Sequence, residues 1–286
     1  MRAARERRAL TLHELLLIVV VIVALIAGLA AAVYLNRPGR GAGGDSAKTG
    51  NDAGPTGKPP EAKPTRPDVL FVGNSYTFAH HMPYLVKALA RAAGEKPDLG
   101  VDMHAPGGAT WQQHYEGGAV AQRLKLKKYD YVVLQERSAG PLDAPADMHK
   151  YGQLLDEEVR KSGAKTILFL TWAYQHIPIE QDQITREYKE LAQRQQAKVA
   201  PVGQAWQAWL RDYPNVALHD PDKSHPNPRG AYLTACVFYA TIYGKSPVGL
   251  PGTLKGDNGE PLSGVLDNEA RLLQQTAWDA VQGWKQ

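Results

Sequence analysis

From residue 68 onward, short apolar runs alternate with longer stretches of helical periodicity, and this alternation restricts the fold more than any other feature of the chain. The runs at 68–73, 99–104, 130–135, 165–171 and 198–202 are apolar nearly throughout, as strands buried on both faces are. Helical patterns lie near 81–93, 118–127, 147–162, 180–196, 229–243 and 268–284. Alternating β and α units predict a parallel sheet with helices on both faces. The expected fold class is therefore α/β, a three-layer α/β/α sandwich with a central parallel five-stranded sheet. The 219 residues of 68–286 are enough to bury a full core, and they contain no internal repeat.

The first 67 residues are of a different kind. Residues 15–35 carry no charge and are mostly Leu, Ile, Val and Ala. Twenty-one residues at a helical rise reach about 30 Å, enough to cross a bilayer core. One transmembrane helix is expected there, after a basic cytoplasmic N-terminus (1–14) and before a flexible Gly/Pro-rich linker (36–67). Arg2, Arg5, Arg7 and Arg8 precede the run, while Arg37, Arg40 and Lys48 follow it. The positive-inside rule then places the N-terminus in the cytoplasm and the main domain outside, in a single-pass protein of the cell membrane. An uncleaved signal anchor is the default, and a cleaved signal peptide competes with it. Residues 9–16 also resemble the type IV pilin signal, with Glu14 at the fifth position after a cut at Ala9. The match departs at Ala9, where Gly is usual, and at Leu10, where Phe is usual.

Charge excludes one class of function. The chain has a formal net charge of +4, but residues 1–67 hold ten Lys/Arg against five Asp/Glu, whereas 68–286 hold 23 against 24. The basicity sits in the tail, so the body has no electrostatic case for nucleic acid. A single cysteine, Cys236, excludes an intramolecular disulfide framework and a cysteine zinc cluster.

In a parallel α/β sheet, ligands bind beyond the carboxyl ends of the strands. The residues after each run are Gly73-Asn74-Ser75-Tyr76-Thr77, Pro106-Gly107-Gly108-Ala109-Thr110, Gln135-Glu136-Arg137-Ser138 and Trp172-Ala173-Tyr174, and then Asp222-Lys223-Ser224-His225 near the end. Each could be only a turn or a cap. Together, in this order, they form a chemical set. A serine hydroxyl is a poor nucleophile until a base accepts its proton. An imidazole does so near neutral pH, and a carboxylate three residues earlier can hold its other nitrogen. Backbone amides after Ser75 and at Gly108 can face a developing oxyanion, each such donor being worth roughly 3 kcal/mol. The G-x-S-x-G elbow is absent because Thr77 stands in place of its second glycine.

On Val72-Gly73-Asn74-Ser75, the Gly107-Gly108 turn, Val133-Leu134-Gln135-Glu136 and Asp222-x-x-His225, residues 68–249 resemble the SGNH hydrolases, the GDSL-type esterase superfamily. The resemblance implies a flavodoxin-like sandwich of SGNH type with catalytic Ser75, His225 and Asp222. It implies oxyanion donors at the Ser75 amide, the Gly108 amide and a side-chain amide in the third block. Most members present Gly-x-Asn-Asp in that block. Here Gln135 takes the place, as in sialate O-acetylesterase-like members, and is expected to be the donor; Asn74 is the alternative.

The expected activity is that of a membrane-anchored serine esterase removing an acyl group, such as acetyl, from an extracytoplasmic carbohydrate. No cofactor and no metal are expected; the partners are a small-molecule or glycan ester and, through 15–35, the membrane. A non-catalytic carbohydrate-binding module and a pilin-like assembly component are the competing readings. His80 and His81 are expected at the pocket mouth. Trp111, Trp172 and Tyr174 either stack on a sugar or pack, and Trp206 and Trp209 belong to the core.

Overall fold

The computed structural model describes residues 66–285. Five parallel strands, β1 (Asp68–Val72), β2 (Gly100–His104), β3 (Tyr131–Leu134), β4 (Lys165–Phe169) and β5 (Lys198–Ala200), form one sheet in the order β2-β1-β3-β4-β5. All five lie within the runs read from the sequence. The order reverses direction at β1, and β1 pairs with β2 on one side and β3 on the other. That reversal opens a crevice at the carboxyl ends of β1 and its neighbours, where such sheets bind ligands.

Alternation along β1 assigns the two faces. Val69 and Phe71 point to one, with Val133, Ile167 and Phe169. There they meet α2 (Met82–Ala92), α8 (Val202–Asp212), α9 (Pro228–Tyr243) and α10 (Asp267–Gly283). Leu70 and Val72 point to the other face, with Leu134 and Leu168. That face is covered by α3 (Trp111–Glu116), α4 (Ala119–Leu126), α6 (Pro145–Ser162) and α7 (Gln181–Gln195). Short helices α1 (Ser75–Phe78) and α5 (Gly140–Asp143) follow β1 and β3 at the carboxyl ends.

Local chemistry explains several boundaries. Thr110 and Gln113 make a reciprocal capping box at the start of α3. Asn227 caps α9 by accepting from Gly230 N (3.0 Å), with Pro228 in the first turn, where its missing N–H has no consequence. Gly163 ends α6 at φ +87°, a left-handed position that glycine takes without steric penalty.

Several elements were not in the sequence reading, among them the short helices α1, α3 and α5. Helix α8 carries Trp206 and Trp209, both 1% exposed and in the core as expected, but it starts one residue after β5, with Pro201 as its N-cap, inside the apolar run 198–202 that reads as strand. A small antiparallel hairpin, β6 (Thr253–Lys255) and β7 (Pro261–Gly264), precedes α10. Through Leu254, Val265, Ala270, Leu273 and Ala277 this C-terminal part joins the core formed by α2, α8 and α9. Among the described residues no helix is long and apolar enough to cross a membrane. The expected span at 15–35, its basic leader and almost all of the linker lie outside the described residues.

Candidate active site

The nucleophile turn is built by the strand that ends before it. After β1, Gly73 N donates to His104 O (3.2 Å), and Asn74 caps α1 by accepting from Tyr76 N (3.2 Å). Asn74 Nδ2 donates across the crevice to Ala109 O (3.0 Å). A side chain at Gly73 would bring its Cβ to 2.2 Å from Thr77 Oγ1 and 2.5 Å from Gln135 Oε1, so only glycine fits. Ser75 is thereby presented at the rim, half-buried, while Tyr76 and Thr77 on either side of the turn are buried.

The second half comes from the loop between α8 and α9. Asp222 Oδ1 accepts from Ser224 N and His225 N, both at 2.9 Å. Its Oδ2 accepts from His225 Nδ1 at 2.5 Å. His225 Nε2 lies 2.8 Å from Ser75 Oγ. The hydrogen bond from His225 holds the Asp222 carboxyl down at about 2, well below the usual carboxylate range. An ionised carboxylate on Nδ1 fixes the tautomer whose Nε2 accepts the serine proton. Tyr76 stacks on Trp172 (4.5 Å) and meets the His225 ring edge-on (5.6 Å), and its hydroxyl pairs with Ser224 Oγ at 2.7 Å. Thus Ser75, His225 and Asp222, the three residues singled out in the sequence, come together in a continuous hydrogen-bonded line.

Two backbone donors stand free beside it. Among the described residues the N–H groups of Ser75 and Gly108 have no hydrogen-bond acceptor. Gly108 is exposed and has φ +69°, which lets its turn present the amide outward.

The third expected donor is a correction. Gln135 is fully buried, and its side chain does not reach the cleft. Its Oε1 accepts from Asn74 N and Thr77 Oγ1, both at 2.9 Å, and its Nε2 donates to Glu136 O. The longer arm of Gln folds back under the nucleophile turn instead of extending over it. The alternative donor, Asn74, is 3% exposed, and its amide is engaged by Ala109 O.

Sequence reasoning also missed Glu136 and His114. Glu136 is 4% exposed, and burial pushes its carboxyl up to about 7. It accepts from Trp111 N (3.0 Å) and Arg137 N (2.6 Å). Buried His114, pushed down to about 4 by loss of hydration, is neutral and donates from Nε2 to Gly73 O (2.8 Å). Neither contact has a spacing signal, because the partners lie on other strands and loops.

His80 and His81 both adopt left-handed backbone (φ 48° and 56°), and His80 Nε2 lies 3.8 Å from Asp220 beside the triad loop. Lys223, within that loop, has φ 65°. Non-glycine residues in this region are strained, and here they flank the cleft from both sides. Trp111 and Trp172 are buried and pack, while Tyr174 hydrogen-bonds through its hydroxyl to Ser138 Oγ (2.8 Å). Away from the triad, His149, Glu187 and Glu190 on α6 and α7 come close enough to share a metal ion. Arg194 already pairs with Glu190 (3.3 Å), and Arg186 lies 3.8 Å from Glu187, so cations already meet that charge.

No protein-family model and no curated protein matches the sequence. Solved structures do. A protein from Slackia heliotrinireducens, named as a candidate SGNH hydrolase, is 28% identical over 62% of this chain and all of its own, with a TM-score of 0.53. A DUF4886 family protein from Bacteroides uniformis is 16% identical over 77% of this chain and 96% of its own, with a TM-score of 0.57. An acetyl xylan esterase, AlAXEase, is 18% identical over 61% of this chain and 99% of its own, with a TM-score of 0.52. The chain belongs to the SGNH hydrolase superfamily.

Proposed function

We propose that this chain is a membrane-anchored esterase that removes a small acyl group, acetyl in the first instance, from an extracytoplasmic carbohydrate. The observation that carries the chemistry is the line Asp222–His225–Ser75, with contacts of 2.5 and 2.8 Å. Ser75 Oγ attacks the ester carbonyl carbon as its proton passes to His225 Nε2. The carbonyl oxygen becomes an oxyanion that accepts from the N–H groups of Ser75 and Gly108. As the C–O bond breaks, the Nε2 proton goes to the leaving alcohol oxygen, and the acyl group stays on Ser75. Water then attacks the acyl-serine with His225 again as base, releasing the carboxylic acid and restoring the hydroxyl. Asp222 steadies the imidazolium in both halves.

Two observations support the substrate and the tether. A cavity of about 420 Å³ is bordered by Trp172, which Tyr76 stacks on, and by Tyr174, Gln175, Pro178, Gln207 and Leu210. Apolar walls with a few amides suit a sugar ring, whose CH faces pack while its hydroxyls bond. The acetyl xylan esterase shares the fold, which adds analogy and no more. The uncharged run at 15–35 supports the anchor.

The test is Ser75→Ala in the full-length chain. Hydrolysis of p-nitrophenyl acetate should vanish with the thermal transition unchanged, since a rim serine contributes little packing. Turnover well above the uncatalysed rate would end the serine mechanism. Acetylated oligosaccharides should be deacetylated faster than acyl esters of simple alcohols. The intact chain should also remain in membranes through alkaline carbonate; recovery in the soluble fraction would remove the anchor.

A further inference from the structure

We propose that the dipeptide Gln135–Glu136 is a positioning device that sets the spacing of the two backbone oxyanion donors, Gln135 fixing the Ser75 side and Glu136 the Gly108 side. This rests on the reading of Ser75 as nucleophile. Two N–H groups must converge on one oxygen at roughly 2.7–3.1 Å each, so their separation tolerates little error. Gln135 Oε1 holds Asn74 N and Thr77 Oγ1, the residues that bracket Ser75 and Tyr76 (2.9 Å each). Glu136 Oε2 holds Trp111 N (3.0 Å), three residues beyond Gly108. Gln135 is itself tied to β1 by its N–H on Val72 O (2.9 Å), and Glu136 Oε1 is tied to its own turn by Arg137 N (2.6 Å). Each donor segment is therefore anchored to one of two adjacent residues at the end of a central strand. Asn74 Nδ2 on Ala109 O (3.0 Å) joins the two segments directly and closes the frame.

A purely structural reading explains this less well. A buried carboxylate whose hydrogen-bond donors are two backbone amides is costly, and an apolar residue of that volume would hold the core more cheaply. Its retention against an oxyanion loop fits placement of that loop. Gly140 packs against Glu136, where an added Cβ would stand 2.6 Å from Cγ and 3.2 Å from Oε1.

The experiment compares Glu136→Ala, Glu136→Gln and Gly140→Ala with wild type in the full-length protein, using p-nitrophenyl acetate. Displacing one donor should lower kcat roughly 10–100-fold, below the 10²–10³ for outright removal, with KM within threefold. Gly140→Ala, which pushes on the carboxylate without removing it, should show the same split to a smaller degree. Glu136→Gln, which keeps one acceptor and the size, should fall between wild type and Glu136→Ala. A fluorophosphonate should still label Ser75 to completion in all three, so the nucleophile stands even if the device fails. Glu136→Gln with wild-type kcat, or a loss carried by KM in the folded variants, overturns the proposal.

Discussion

The two halves of the candidate triad are held in opposite ways. The nucleophile turn is held from afar: Asn74 and Thr77 bond to groups 61, 35 and 58 residues away in the chain. Asn74 is 3% exposed and Thr77 fully buried. The acid–base pair is held from within. Asp222 makes its three bonds two or three residues away, to Ser224 N, His225 N and His225 Nδ1. The His225 and Asp222 side chains are 40% and 49% exposed. One half exists only once β1, β2 and β3 have assembled; in the other the Asp222–His225 geometry is local, although Ser224 between them is also bonded to Trp172 Nε1 (2.9 Å) and the Tyr76 hydroxyl (2.7 Å). A substitution in the loop should therefore injure chemistry and spare the fold, whereas one under the turn should injure both.

The largest effect tests the loop. His225→Ala removes the base, and kcat should fall by roughly 10⁴ or more. Its thermal midpoint should stay close to wild type, because a half-exposed imidazole in a local turn adds little to stability. Near-wild-type turnover would assign the base to another histidine. Asp222→Asn should have a smaller effect, up to about 10³-fold, since the amide leaves the base in place with the wrong tautomer. The pH dependence sharpens this. A carboxyl held at about 2 in the folded chain contributes stability above its ordinary 3.8 and loses it only as pH falls through about 2. Asp222 is thus ionised throughout pH 5–9, and the ratio of wild-type to Asp222→Asn activity should stay well above one across that range. A ratio that collapses toward one inside it contradicts the assignment.

Gly73→Ala tests the other half. Its Cβ must displace Thr77 Oγ1 and Gln135 Oε1, which lie within 2.2 and 2.5 Å. Overpacking of this kind destabilises by about 1–3 kcal/mol. The nucleophile should shift with the turn, and a misplacement near 1 Å lowers the rate about 10²-fold. Both a lower thermal midpoint and a lower kcat are expected. Loss of activity with an unchanged midpoint would mean that the turn is as autonomous as the loop, and the comparison would fail.

The same difference decides what the sequence revealed. Asp222-x-x-His225 was legible because its bonds join residues two or three apart, so the motif carries its own geometry. The strands were legible because burial on both faces leaves a continuous apolar run. Gln135 was visible as a residue but not as a role. An amide after β3 reads as a donor, and only the packed structure shows Asn74 N and Thr77 Oγ1 already occupying its oxygen and the cleft out of its reach. Glu136 was likewise visible in the third block but not as a role, since Trp111 N is 25 residues away on a loop whose path the sheet determines. Helix α8 and the β6–β7 hairpin were missed for a related reason. The first begins one residue after β5, with Pro201 as its N-cap, inside an apolar run that reads as strand, and the strands of the second are only three and four residues long.

The smallest effect is a pH signature confined to the long-range half. Burial holds the Glu136 carboxyl up at about 7, against an ordinary value of 4.5, although Trp111 N and Arg137 N both donate to it. The charged groups acting on it are the Arg137 guanidinium and the Asp143 carboxylate, themselves paired at 2.5 Å, while the Glu136 N–H donates to the Tyr188 hydroxyl (3.4 Å). Between those two pH values the folded chain keeps a proton that the unfolded chain has released. This contribution to stability is therefore complete below about 4.5 and is lost as pH rises through about 7, to a limit of roughly 3 kcal/mol. Glu136→Gln cannot titrate and should lack this slope. The thermal midpoint of wild type should fall relative to Glu136→Gln by roughly 5 °C between pH 5 and pH 8. Asp222→Asn, whose carboxylate sits in the local half, should run parallel to wild type over the same range. Parallel curves for Glu136→Gln and wild type would show that Glu136 is ionised at all these pH values, with its two amide bonds outweighing its burial.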